Sequence, residues 1–262
     1  MDLKIIITAT LMAISATAMC QNEKPINQTD SQGRKQGYWI KKNPDQSIVY
    51  EGYFRDGHPA GEFKRYYKDQ TLKSVLNFSS DGKEAFALLY HPNGYIASKG
   101  KYVNQQKEGK WQFFSAEIKD YLISEETYSG NLKNGLSEKF YPDSTIAEKV
   151  NYVNDIRQGE WTRYYPDGSI LIKSNYVNGM LDGKFEAWYE NGKIEFSGQY
   201  KNDGRDGPWL IYNPDGTIKY RIEYDNGITT DRRMDIDESR LLDSLEINKG
   251  KIEDPEKEGM PK

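Results

Sequence analysis

The sequence predicts an all-β protein, an elongated array of about eight 24-residue β-hairpin repeats forming one twisted antiparallel sheet, with a short C-terminal helix. Three observations predict it. Turn signals of two kinds alternate along the chain, as at Pro166-Asp167-Gly168 and Asn178-Gly179. Between them lie short runs rich in aromatic and β-branched residues, which leave no room for a helix. The runs recur in register, and a fixed period of this length marks a repeat architecture.

Residues 1–20 come first and differ from all that follows. An apolar run from Ile5 to Ile14 follows Lys4, and small residues follow at Ala16-Thr17-Ala18. This reads as a secretory signal peptide, too short for an ordinary membrane span, so the mature chain is expected to have none. Cys20, the single cysteine, stands where a bacterial lipoprotein is cut and lipidated, although Met19 fills a place normally held by a small residue. Two fates stay open: lipidation at Cys20, or ordinary cleavage near Ala18 or Cys20. Residues 21–36 are polar, with Pro25, Asn27, Ser31 and Gly33, and read as a flexible linker.

Residues 37–227 hold the repeats. An opening glycine recurs at Gly37, Gly61, Gly109, Gly135, Gly159, Gly183 and Gly207, with Ala85 standing in once. Two positions on stands a large aromatic: Trp39, Phe63, Trp111, Trp161, Phe185 and Trp209, with Ala87 and Ser137 as exceptions. Three further on is a second aromatic column that includes Tyr66, Tyr90, Tyr164 and Trp188. An aliphatic column (Ile48 to Ile218) and an aromatic column (Phe54 to Tyr224) are filled in every copy. The step is 24 residues except between Gly109 and Gly135, where it is 26, and the extra residues fall in a turn at Ala116–Asp120. Aligned columns predict that each aromatic packs on its equivalent in the next unit. The opening glycine serves either a positive φ or the close approach of an aromatic. Trp161 and Tyr164 face opposite sides by strict alternation, so either both faces carry aromatics or a bulge resets the pattern. The third and fifth units are degenerate, and a bend or weak point is expected there.

Residues 228–262 leave the pattern. Leu241, Leu242 and Leu245 share one helical face over residues 235–247, with acids in the first turn, which predicts a short helix covering the open end of the array. The remaining charged tail, with Pro255 and Pro261, reads as disordered.

Composition narrows the function. Hydrophobic content is 36% and aromatic content 13%, so the shortfall lies in aliphatics, and aromatic columns must stabilise the array. A net charge of −4 argues against nucleic acid. With two histidines and one cysteine, a metal site built on those residues is not expected. His58 and His91 each precede a proline at a turn, and Asp81, Asp143, Asp167, Asn191 and Asp215 recur at turns, so their first reading is turn chemistry. No catalytic constellation and no phosphate-cradling loop occurs, and no cofactor is expected. Tyr67, Tyr165 and Tyr189 sit beside the second aromatic column and are the aromatics expected to be exposed, as ligand contacts.

Two stretches carry a family resemblance: Gly179-Met-Leu-Asp-Gly-Lys-Phe-Glu-Ala-Trp-Tyr-Glu-Asn-Gly-Lys-Ile, and Arg205-Asp-Gly-Pro-Trp-Leu-Ile-Tyr-Asn-Pro-Asp-Gly-Thr-Ile. They resemble the MORN repeat in its bacterial variant form, and the resemblance covers residues 37 to about 227. It implies a β-hairpin array used for protein or lipid contact, with no catalysis of its own. Proteins that look like this often carry the label of a toxin–antitoxin antitoxin (YwqK type). The reading is therefore an exported, non-catalytic scaffold in the periplasm or cell envelope, binding an envelope protein. The alternatives are glycan or lipid binding through exposed aromatics, and an antitoxin role.

Overall fold

The computed structural model describes residues 25–229, so the leader, Cys20 and the helix read at 235–247 lie outside the described residues. Nineteen strands form one open antiparallel sheet. They are β1 (Gln28–Thr29), β2 (Lys35–Lys42), β3 (Ile48–Arg55), β4 (His58–Tyr66), β5 (Leu72–Phe78), β6 (Glu84–Tyr90), β7 (Ile96–Val103), β8 (Gln106–Phe114), β9 (Leu122–Ser129), β10 (Leu132–Phe140), β11 (Ile146–Val153), β12 (Ile156–Tyr164), β13 (Ile170–Val177), β14 (Met180–Leu181), β15 (Gly183–Trp188), β16 (Ile194–Lys201), β17 (Gly204–Tyr212), β18 (Ile218–Asp225) and β19 (Ile228–Thr229). The chain meanders, each strand pairing with the one before, and β14 and β15 together form one rung on β13. One finding departs from the sequence reading. Residues 27–36, read as part of a linker, belong to the sheet: β1 pairs with Lys35 and Gln36, and the Asn27 side chain brackets the Ile40 backbone. Short polar residues close a sheet edge as readily as they make a tether.

The two turn types sit at opposite edges of the sheet. Two-residue turns with positive φ at both positions join most units, as at Asn178 (52°) and Gly179 (85°), while residues 79–83 make a longer turn between β5 and β6. The two-residue turns have the type I′ geometry, whose twist matches that of the flanking strands. At the other edge Gly168 takes the left-handed position (φ 85°), and Gln46 (69°), Gln70 (69°) and Ser144 (70°) take it in units that lack the turn glycine.

The opening glycine answers a backbone need. All seven have positive φ, and a Cβ added at Gly159 would meet nothing within 4 Å. Gln158, Gly159 and Glu160 lie opposite Asn151 alone, so the glycine forms a bulge at the start of each unit. Ala85 lacks that freedom, and there the β5–β6 ladder runs without a break. A second irregularity skips one residue after each aliphatic-column position, as at Leu171, where Tyr164 pairs with Ile170 and Arg163 with Ile172. It lies on the partner strand, so Trp161 and Tyr164 stay on opposite faces, and both faces carry aromatics.

One face, called inner here, is the core. The close approach offered as the alternative role for the opening glycine belongs to other glycines. A Cβ added at Gly52, Gly100 or Gly198 would sit 2.4 Å from Phe63, 2.3 Å from Trp111 or 2.3 Å from Trp209. Each ring therefore lies flat on the backbone of the strand before it. Where the ring is missing, the facing residue grows: Leu76 pairs with Ala87, and Glu126 with Ser137. The neighbouring column follows the same rule at Ser74 opposite Leu89, Ser124 opposite Phe113 and Ile172 opposite Ala187, while Phe196 and Ile211, both large, face each other. Small against large on these rungs lets a single sheet bring Phe63 and Trp111 to 0% exposure. Most rings zigzag between the two inner columns, and the expected stacking of equivalents holds at Phe185 and Trp209, 5.5 Å apart. Trp161 meets Tyr176 at 5.6 Å, and Trp209 meets Tyr200 at 5.1 Å.

The core falls into two clusters, one from Phe54 to Tyr128 and one from Val150 to Tyr224. Between them Glu126 and Ser137 are both buried. Glu126 accepts hydrogen bonds from the Tyr128 hydroxyl (2.6 Å) and from Lys133 Nζ (2.8 Å). The fifth unit is thus a polar interruption. The third is not, because Leu76 and Ala87 rebuild the rung.

The pairing rule makes a prediction for Gly198 and Trp209. Gly198→Leu alone should lose about 2–3 kcal/mol by overpacking, and Trp209→Ala about 3–5 kcal/mol. The double variant imitates the natural Leu76–Ala87 rung and should recover at least about 1 kcal/mol relative to the summed losses. Urea denaturation of the four proteins measures the coupling.

Candidate binding surfaces

The inner face is sealed along its rim by cations that the sequence reasoning missed. Lys107 Nζ lies 5.0 Å from the Trp111 ring and 5.1 Å from that of Phe113. Arg157 and Arg205 cover Tyr176 and Trp209 and donate to the Tyr176 and Tyr224 hydroxyls, each at 2.8 Å. A signal was present: a basic residue stands two positions before the opening residue at Lys35, Lys83, Lys107, Lys133, Arg157 and Arg205. Cations over ring faces gain from the ring quadrupole, so these positions finish the core and leave its aromatics covered.

The sequence-predicted contact residues lie at the Pro-Asp-Gly edge, in a different state from the one expected. Tyr67, Tyr165 and Tyr189 are half-buried, and their hydroxyls donate to the carbonyls of Tyr90, Trp188 and Tyr212, each at 2.7 Å. Tyr141 does the same to Tyr164, and His91 Nε2 lies 3.1 Å from the Phe114 carbonyl. They act as ties from each unit to the next. The expectation that these tyrosines are exposed is therefore corrected, since a ring that reaches the next unit is covered by it. Large apolar side chains that are exposed lie elsewhere, with Phe86 at 65% and Tyr53 at 51%.

At the same edge Asp167 Oδ1 accepts from the Ser169 backbone N–H (2.8 Å) and hydroxyl (2.6 Å), and Asp45, Asp69, Asp143 and Asp215 repeat the motif. Hydroxyl and then backbone donors hold all five below the ordinary aspartate value. His58 stands at the other edge, paired with Arg55 across an inter-unit turn. Among the described residues, no three His, Cys, Asp or Glu side chains are placed to hold a metal ion.

The outer face carries charge. Lys149 pairs with Glu138 (3.1 Å) and Lys173 with Glu160 (3.0 Å). Exposed pairs of this kind contribute about 0–1 kcal/mol each, so they act as a surface more than as a stabiliser. At the N-terminal end Glu51 accepts from both Tyr38 and Tyr66. Burial raises the Glu51 carboxyl, and the two phenols outweigh it and hold the group below its usual value. Burial, then the Glu51 bond, push Tyr66 up to about 12.

A closed inner face, a charged outer face and two tied turn edges define a β-repeat scaffold. Comparison with known proteins gives a family match: residues 133–154, 157–178, 181–202 and 205–226 match the MORN repeat variant. The units before residue 133 share its columns and hairpin geometry. Repeats of this family are non-catalytic and serve interaction with proteins or membranes. No helix among the described residues is long and apolar enough to cross a membrane. No curated protein matches the chain. Among solved structures, TcdB2-TccC3-Cdc42 is similar at 11% identity and a TM-score of 0.21, over 71% of this chain and 13% of that one. TcdB2-TccC3-TEV is similar at 12% identity and a TM-score of 0.21, over 77% and 13%. The TCP10 domain of Danio rerio CPAP, in complex with a STIL peptide, is similar at 12% identity and a TM-score of 0.16, over 72% and 100%. The chain spans about an eighth of the first two, and likeness at these scores carries no argument.

Two predictions follow from the turn edge. Tyr165→Phe removes one inter-unit hydrogen bond and should cost about 1 kcal/mol, read by urea denaturation. Acid should loosen the turns. Their aspartates have folded pKa values below the ordinary 3.8, so their contribution is full above that value and is lost as pH falls through the lower folded values. Asp30, held down to about 2 first by the Arg34 backbone N–H, is the last to protonate. The thermal midpoint should be level above pH 5 and fall from about pH 4 to about pH 2.

Proposed function

We propose that this protein is an exported scaffold of the bacterial envelope that binds a protein partner through its outer face. One observation carries the choice of face: the inner face is filled by its own rings and charged side chains, while the outer face presents ordered charge pairs such as Lys149–Glu138 and Lys173–Glu160. A rigid charged surface favours selection of a partner by complementary charge. The leader at residues 1–20 supports export, and export supports an envelope partner. The turn-edge tyrosines give less support to a glycan or lipid site, because their hydroxyls are already engaged.

Affinity purification of the tagged protein from the envelope fraction after gentle crosslinking tests this reading. One stoichiometric protein partner is expected. Charge reversal at Lys149 and Lys173 should lower its recovery about tenfold without moving the thermal midpoint. Recovery from the cytoplasm, or of lipid or glycan without protein, contradicts the proposal.

A further inference from the structure

In the third unit the charge ladder of the outer face gives way. Between β5 and β9 a groove of about 630 Å³ opens over Val75, Phe86 and Leu88. Val75 and Leu88 pair across the β5–β6 ladder, and Phe86 lies beside Asn77 and Lys101. The column of Val75 is otherwise polar, holding Glu51, Lys99, Glu125, Lys149, Lys173, Ser197 and Arg221. The column of Phe86 otherwise holds Tyr38, Glu62, Lys110, Leu136, Glu160, Lys184 and Pro208. This is also the unit in which Ala85 replaces the glycine and the ladder runs unbroken. An apolar change on the solvent side, in the unit whose inner rung was rebuilt with Leu76 and Ala87, improves no packing of the core. Departures of this kind from a repeat concentrate at functional sites. Three lysines (Lys99, Lys101, Lys110) against two glutamates line the groove, in a chain of net charge −4.

The chain itself contains the complementary chemistry. Residues 235–247 carry Asp235, Asp237, Glu238, Asp243 and Glu246 against Arg240 alone, together with five aliphatic side chains that include Leu241, Leu242 and Leu245. From β19 the groove floor on β6 lies twelve ladder steps away, about 58 Å at about 4.8 Å per step. The twelve residues from Thr229 to Leu241 span at most about 43 Å when fully extended, so Leu241 and Leu242 fall short of their own groove and Leu245 reaches it only with every intervening residue fully extended.

We propose that the groove binds the acidic, leucine-bearing segment 235–247 of a second copy of this chain, linking copies tail to groove. The leucines cover Phe86, Val75 and Leu88, and the acids meet Lys99 and its neighbours. The proposal rests on the reading of the outer face as a protein-interaction surface, but it is tested without any envelope partner.

Sedimentation velocity on the full chain provides the test. The wild type should associate with rising concentration. Phe86→Ser/Leu88→Ser and Leu241→Ser/Leu242→Ser should each weaken association about tenfold or more. Phe86 is exposed, so an unchanged circular dichroism melt separates this from misfolding. An equimolar mixture of the two variants keeps one intact tail and one intact groove and should restore a heterodimer. A wild type that stays monomeric at all concentrations overturns the proposal, as does a mixture that fails to associate. If envelope capture then still succeeds, only the tail-to-groove contact has failed.

Discussion

The contact on which the rest of this structure depends is a ring lying flat on the backbone of the preceding strand. A sheet with no second layer cannot bury a face by sandwiching it. Here the face is buried sideways, rung by rung. Trp111 over Gly100 and Trp209 over Gly198 are the extreme cases, and Leu76 over Ala87 shows the volumes exchanged between the two partners. A fully buried aromatic removes about 150–250 Å² from water, so a few such rungs per unit replace a conventional core. Cations at the rim, such as Lys107 and Arg205, complete the cover with their apolar stems and charged heads.

This arrangement decides what remains for function. The inner face is spent on stability, and the hydroxyl ties at the Pro-Asp-Gly edge hold successive units in register. What is left is the outer face, where charged pairs keep an open sheet soluble and where departures from the repeat stand out. The polar network of Glu126, Tyr128 and Lys133 divides the core, while β9 and β10 stay paired around it, so the array is one sheet with two cores.

Much of the fold was legible in the sequence. The period, both turn types and the filled columns follow from glycine, asparagine and aromatic spacing, because those residues answer local backbone needs. The face of each aromatic was open until the ladder showed where the bulges fall. The small residues beneath the rings were less legible, because their column holds Gly52, Leu76, Gly100, Glu126, Val150 and Ser174. Only the pairing with a partner one strand away makes that series intelligible. The same holds for Tyr67, Tyr165 and Tyr189: adjacency to a packed column suggested exposure, whereas the hydroxyl finds its partner 23 residues later. The cation column was visible in the spacing but hidden among the many other charges of the chain.

Native-state hydrogen exchange across the sheet tests the central claim most directly, namely that stability resides in inner-face rungs grouped into two cores. The account predicts two sets of strongly protected amides, one on β3 to β8 and one on β12 to β18, with distinct opening free energies and a protection minimum at Glu126 and Ser137. A single uniform level of protection along the array, or a minimum at Ala85 to Ala87 instead, would contradict it.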